Sequence, residues 1–385
     1  MAFIGSGFAF ASWASRIPQV RDQLRLSPGR LGLLLLSIAA GSLLALPLAG
    51  PVVHRFGARR TVAVMAGLLG VGLAVTAVGY RIGVAPVAVG LFLLGFGNGG
   101  WDVAMNVHGA LVERHLGRSI MSRFHAGYSL GTVAGALSGA AVVAGHLNVT
   151  GHLVAVAIVT VVAVVGATRA FLDDGAAAGV PREQPETVGR RGAFGAWREP
   201  RTLIVGVFVL AFAFAEGTGN DWISVATIDG YDTSAAVGTL AFATFLTAMT
   251  VGRWFGPAAL DRHGRVPVVR ALAGVAVGGS LLFVFAPSAP AAFAGAALWG
   301  LGTSLGFPVG MSAGADEPRY AAGRVSVIAS IGYCAFLAGP PAVGFLGDRF
   351  SVLHALVTVT ALVALAAAIS PAVSPPTANA PQRNA

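Results

Sequence analysis

The sequence predicts an all-α membrane protein of twelve transmembrane helices, arranged as two six-helix bundles related by a parallel repeat. Three observations predict this: a composition too apolar for water, a succession of apolar runs long enough to cross a bilayer, and short motifs that recur at a nearly constant offset.

Of the 385 residues, 55% are hydrophobic and 11% charged, and the mean hydropathy is +0.76. Soluble domains carry roughly a quarter charged residues, so lipid is the main solvent of this chain. A spanning helix needs about 20 mostly apolar residues. Such runs fall near 31–53, 61–79, 85–111, 124–145, 151–171, 202–224, 235–256, 267–286, 290–312, 323–346 and 351–370, after a shorter first run at 1–20. Little chain remains for a soluble domain. The start, Met1-Ala2-Phe3-Ile4-Gly5, lacks the basic region of a cleaved signal peptide and reads as the first span.

The net charge of +9 comes from 25 basic residues, all of them Arg. They sit in short connections between apolar runs rather than along one solvated face, which argues against nucleic acid and for orientation in a membrane. With the N-terminus inside, 19 arginines fall on cytoplasmic segments and 6 outside. This predicts a plasma (inner) membrane protein with both termini cytoplasmic. Four of the outliers, Arg16, Arg21, Arg25 and Arg30, crowd the first external loop. They read either as a polar loop turning at Ser27-Pro28-Gly29 or, for Arg16, as a side chain aimed into an outer vestibule. Cys334 is the single cysteine, so an internal disulfide is excluded, and its apolar surroundings predict a packing role.

A polar stretch over 172–201 predicts a cytoplasmic linker between bundles at 1–171 and 202–370, and the proline-rich end over 371–385 predicts a disordered tail. The repeat supports that division. Gly50-Pro51 recurs as Gly256-Pro257, Arg55-Phe56-Gly57 as Arg262-His263-Gly264, Gly95-Phe96-Gly97 as Gly300-Leu301-Gly302, and Gly127-Tyr128 as Gly332-Tyr333. Together these place span n opposite span n+6, with a solute path expected between the halves.

The stretch Gly50-Pro51-Val52-Val53-His54-Arg55-Phe56-Gly57-Ala58-Arg59-Arg60, echoed by Asp261-Arg262-His263-Gly264-Arg265, resembles the signature that follows spans 2 and 8 in the major facilitator superfamily. The resemblance implies a gating latch at Gly50, Arg55, Gly57, Arg59, Asp261, Arg262, Gly264 and Arg265. In it, glycines permit a tight turn and an acidic residue holds Arg side chains. His54 stands where the family usually has Asp, which implies a weaker or pH-sensitive latch in the first half. Trp13-Ala14-Ser15-Arg16-Ile17-Pro18, Asp102-Val103-Ala104-Met105-Asn106, Phe124-His125-Ala126-Gly127-Tyr128, and Glu216-Gly217 with Asp221-Trp222 look like the MosC-like branch. That branch is associated with rhizopine-type compounds and is distantly similar to fucose-permease-type sugar transporters.

A charge near the bilayer centre costs at least about 2.5 kcal/mol, so an intramembrane carboxylate implies a partner, a wet cavity or a protonation role. Asp102 is the clearest candidate. Asn98, Asp102 and Asn106 lie four apart on one face of span 4, and the repeat places apolar Pro308 opposite Asp102, so the scaffold itself does not require an acid there. The alternative is structural hydrogen bonding between helices. Glu216 and Asn220 share a face of span 7, with Gly217 and Gly219 able to loosen the helix. Asp221 and Trp222 follow, as a substrate contact with ring stacking or as an outer rim with an interfacial aromatic. His125 and Tyr128 open span 5; His125 suits proton exchange or a purely structural place. Gly127, Gly131, Gly135 and Gly139 then predict a smooth packing face.

These residues imply a secondary transporter of a small, sugar- or polyol-like molecule, proton-coupled through Asp102 and Glu216, working as a monomer in the lipid bilayer by alternating access. An efflux protein for amphipathic compounds and a membrane sensor on the same scaffold are the alternatives. The span-5 stretch lacks the Gly-Pro pair of drug exporters. No metal-ligand spacing, cofactor motif or nucleophile motif is present, so an enzyme is not expected.

Overall fold

The apolar runs become helices because a chain in lipid must satisfy every backbone N–H and C=O within its own segment. The structure, a computed structural model, describes residues 1–117, 120–172 and 195–375. Eleven of its helices are long and apolar enough to cross a membrane. Span 1 is Ala2–Ala14, span 2 Pro28–Phe56, span 3 Ala58–Gly79, span 4 Val84–Leu116, span 5 Met121–Ala144 and span 6 Val149–Thr168. Span 7 is Pro200–Tyr231, span 8 Ala235–His263, span 9 Arg265–Phe285 and span 11 Pro318–Phe350. Span 10 is broken into Ala289–Thr303 and Gly306–Gly314, and span 12 into Val352–Ala355 and Val357–Ile369. Ser27, Asn148 and Ser234 cap spans 2, 6 and 8, each side chain accepting from the N–H three residues on.

The duplication is visible in the packing. Span 3 packs on spans 4 and 6, span 2 on span 4, and span 1 on spans 5 and 6; six spans later the same pairs recur, 9 on 10 and 12, 8 on 10, and 7 on 11 and 12. The turns repeat as well. Gly57 and Gly264, between spans 2 and 3 and between spans 8 and 9, have φ of 82° and 80°, a left-handed region that only glycine enters without strain. The glycine stripe of span 5 packs on span 1, where a Cβ at Gly135 would stand 2.5 Å from the Phe8 carbonyl.

Span 2 also packs on span 11, and span 5 on span 8, joining the two halves. Three polar contacts between halves occur among the described residues, all at the end remote from the termini. Arg21 pairs with Asp229, with Nη2 3.0 Å from Oδ1; Ser27 lies 3.4 Å from Asp348; and Thr239 lies 3.4 Å from the Ser15 carbonyl. Burial works against the Arg21 charge, but the hydrogen bond and charge of Asp229, with Asp22 beside it, outweigh this and raise its pKa. At the termini end, His54, Arg55, Arg59, Arg262 and His263 are exposed. The molecule is closed at its far end and open at its near end.

The structure corrects several expectations. The first run does not continue as one helix to residue 20: it stops at Ser15–Arg16, where Pro18 cannot supply an N–H, and restarts as a short helix, Ile17–Leu24. Arg16 is neither on a polar loop nor in a vestibule but 2% exposed, inside the first half. Cys334 is exposed rather than packed inside. The end stays ordered past Pro371, because Arg201 donates to the carbonyls of Ala372 and Ser374 and Val373 is buried. Most of the expected linker and tail, residues 173–194 and 376–385, lies outside the described residues.

Candidate functional site

A cavity of about 720 Å³ lies between the halves, lined from spans 1, 2, 4, 5, 7, 8, 10 and 11. Its lining reaches His125 and Leu260, close to the near ends of spans 5 and 8, but stops at Phe10, Leu35, Asp221 and Pro340 toward the far end. It is therefore a chamber open at the near end only.

Most of the polar residues singled out in the sequence meet here. Asn98, Asp102, His125, Tyr128, Glu216, Asn220 and Asp221 all line the cavity. Their surroundings separate the acids. Asp102 has no cationic partner among the described residues; its Oδ1 accepts from Asn106 Nδ2 at 3.1 Å, and the same amide donates to the Asp102 carbonyl at 2.9 Å. Asn106 thus stands behind Asp102 instead of lining the chamber. Asn98 is held by Ser6 of span 1, whose hydroxyl donates to Oδ1 at 2.8 Å. Asp221 makes no hydrogen bond or ion pair with the described residues. Tyr128 lies within electrostatic reach of Asp102 and Glu216 at once.

Glu216 is paired. Arg253 Nη2, from span 8, lies 2.7 Å from its Oε2, and both side chains are partly exposed to the chamber. Arg253 Nε also donates to the Ser304 carbonyl at 3.3 Å. That carbonyl is free because Pro308, four residues on, has no N–H to offer it. The glycines of spans 4 and 10 share an offset of 205 (Gly95 with Gly300, Gly97 with Gly302), so Phe307 and not the expected Pro308 stands opposite Asp102, and that position carries a ring in one half and a carboxylate in the other. The sequence treated Arg253 as a residue of orientation; the available signal was a charge inside an apolar run, the argument already applied to Glu216.

Other expected roles fail or change. Trp222 is fully buried and does not reach the chamber, so it stacks on no solute there; Trp254 of span 8 is the tryptophan in the lining. Span 7 stays helical through Gly217 and Gly219, whose missing side chains make room for the rings of Phe336 and Phe245. Among the described spans that line the chamber, the broken one is span 10. In the latch, Asp261 is exposed and makes no ion pair among the described residues, and Arg265 pairs with Asp316 at 2.6 Å. Asp316 also holds Arg201 at 2.9 Å, joining the near ends of spans 7, 9 and 10. Arg55 stacks on Phe56, with its guanidinium carbon 5.5 Å from the ring centroid, and Gly50 and Arg59 meet no opposite half at the open end.

Two duplicated bundles around a largely apolar chamber set with a few polar side chains, closed at one end, define a membrane carrier. The chain belongs to the Major Facilitator Superfamily, whose family model matches residues 1–336. It is 30% identical to an uncharacterised MFS-type transporter of Yersinia pestis over 97% of this chain and 94% of that protein. It is 28% identical to membrane protein MosC of Rhizobium meliloti over 96% of this chain and 87% of that one. Among solved structures, the nucleoside transporter NupG superposes with a TM-score of 0.75 at 15% identity, covering 96% of this chain and 98% of that one. The E. coli fucose:proton symporter FucP superposes with a TM-score of 0.60 at 14% identity, covering 97% of this chain and 98% of that one. At such identities the structures establish the fold alone.

Proposed function

We propose that this carrier is a proton-coupled secondary transporter of a small organic solute, working by alternating access, with Asp102 as the group that takes and releases the proton. The reading is carried by the contrast among the three chamber acids. Glu216 is neutralised by Arg253, Asp221 lies unpaired at the closed end of the lining, and Asp102 faces the chamber from span 4 without a cation. An ionised carboxylate without a counter-ion is costly in a dry, occluded chamber, and a protonated one far less so. Protonation of Asp102 therefore permits occlusion, and release of the proton at the other side resets the cycle. Glu216 is then a partner that Arg253 holds charged, with a solute able to compete for either group.

The near end is cytoplasmic in this reading, because the arginine bias follows the positive-inside rule, and the membrane is the inner membrane. The bundles 1–171 and 202–370 rock about the chamber as the linker 172–201 keeps them together. A sugar- or polyol-like solute is supported by the amides of Asn98 and Asn220 and by the fold shared with FucP. A second reading, efflux of amphipathic compounds, is favoured by the apolar remainder of the wall, including Phe10, Ile38, Met105, Phe307 and Phe336. Solid-supported-membrane electrophysiology on proteoliposomes separates them. Polyols, sugars, amino sugars and lipophilic cations are applied at two pH values. A pH-dependent current with one class names it, and silence across all classes counts against proton-coupled transport.

A further inference from the structure

The far end is closed by a segment to which the transport cycle above gives no part. Between spans 1 and 2 the chain forms the helix Ile17–Leu24, and its Arg21 crosses to Asp229 of span 7. The root of that helix is Arg16, its N-cap residue, buried in the first half. Arg16 Nε donates to His152 Nδ1 at 2.9 Å, and Nη2 donates to the Leu147 carbonyl at 3.2 Å.

The chemistry of that contact is restrictive. A guanidinium only donates, so His152 accepts at Nδ1 as a neutral imidazole with its proton on Nε2, a buried atom that meets no partner. The surroundings offer no anion. Spans 1, 5 and 6 contain no carboxylate, and the charges of span 3 are Arg59 and Arg60 at its opposite end. Tyr80, just past span 3, lies within electrostatic reach of Arg16 and accepts from Arg81 at 3.2 Å. His146, in the turn before span 6, is exposed. A proton arriving at Nδ1 therefore removes an acceptor and sets two cations side by side in a buried place with nothing to offset them.

We propose that the helix Ile17–Leu24 is an outer gate, latched by Arg21 on Asp229 and rooted by a proton-sensitive contact between Arg16 and His152. With His152 neutral the root holds and the gate stays shut. A proton on His152 expels Arg16, loosens the root and weakens the closed end. The shut gate binds one proton fewer at this position, so by linkage a fall in external pH shifts the population toward the open gate. Arg16 and His152 are positioning residues, since neither lines the chamber. The inference rests on the carrier reading and on the far end being external.

The test reads the gate without any solute. Spin labels at Gln23 and Ser288, exposed on opposite halves of the far end, are introduced in a Cys334→Ser background. The full-length protein in lipid nanodiscs is measured by double electron–electron resonance at about pH 7.5 and about pH 5, either side of the ordinary His range. The expected result is a longer-distance population that grows several-fold in acid. His152→Gln, whose amide oxygen accepts from Arg16 at any pH, holds the short distance at both values, and Asp229→Asn shows the long distance at both. A His152→Gln protein that titrates like the wild type, loss of the shift in Asp102→Asn, or a wild type without any shift overturns the proposal. A gate that moves as expected in a protein giving no solute-driven current would instead count against the carrier reading alone.

Discussion

Arg253 and Glu216 form an ion pair inside the chamber, 2.7 Å apart, tying span 8 to span 7. Because the pair is partly wetted by the chamber, its worth is that of a charge-assisted hydrogen bond and not of a deeply buried salt bridge. Glu216→Gln or Arg253→Gln alone should each cost about 1–3 kcal/mol, read as a fall of a few degrees in Tm of the purified protein. The double variant should recover part of that loss, because neither charge is then left alone. A double-mutant cycle with no coupling would show that the pair is incidental.

Asp316 carries a heavier load, since two arginines, Arg201 and Arg265, converge on one carboxylate that is itself 8% exposed. Asp316→Asn leaves both cations without a carboxylate, though not without hydrogen bonds, and should cost about 2 kcal/mol, whereas Arg265→Gln, which leaves Arg201 on the acid, should cost about 1 kcal/mol. Thermal melts of the two variants in one detergent measure the ratio. Equal losses would mean that Asp316 does not organise this end.

The two turn glycines give a test of the duplication. Gly57→Ala and Gly264→Ala each force a side chain into a left-handed conformation and should lose about 1–2 kcal/mol apiece. An alanine at Gly264 has open space around it, so strain and not collision is measured there. Melting curves for both variants should shift by similar amounts, and a loss at one turn only would mean that the two are not equivalent.

The twelve spans, the repeat and the chamber acids were legible in the sequence for one reason: lipid penalises charge and unpaired backbone so strongly that both leave a mark in composition. Asp102 and Glu216 stood out because each is a carboxylate in an apolar run. Residues whose role depends on another helix did not stand out. Arg253 looked like a residue of topology until span 7 was placed beside it, and nothing in the sequence marked Asp316 as the meeting point of Arg201 and Arg265. Trp222 misled for a rotational reason: it follows Asp221 directly, and a single step along a helix, about 100° of rotation, turns it from the chamber into the core.

Trp222→Phe keeps a ring in the core and should leave the KM for solute within about twofold of the wild type, since no contact with the chamber is lost. Trp254→Ala removes an aromatic from the lining and should raise KM with less effect on the maximal rate, as loss of uniform binding does. Uptake kinetics in proteoliposomes, with whichever solute gives a current, distinguish the two.

Whether Asp102 carries the coupling proton is read from Asp102→Asn in proteoliposomes, comparing solute exchange at equal pH with uphill accumulation driven by a pH gradient. Asn holds the shape of a protonated carboxyl but cannot release a proton. Exchange should persist in this variant, and accumulation against a gradient should be lost. Accumulation at the wild-type level in Asp102→Asn would contradict that role.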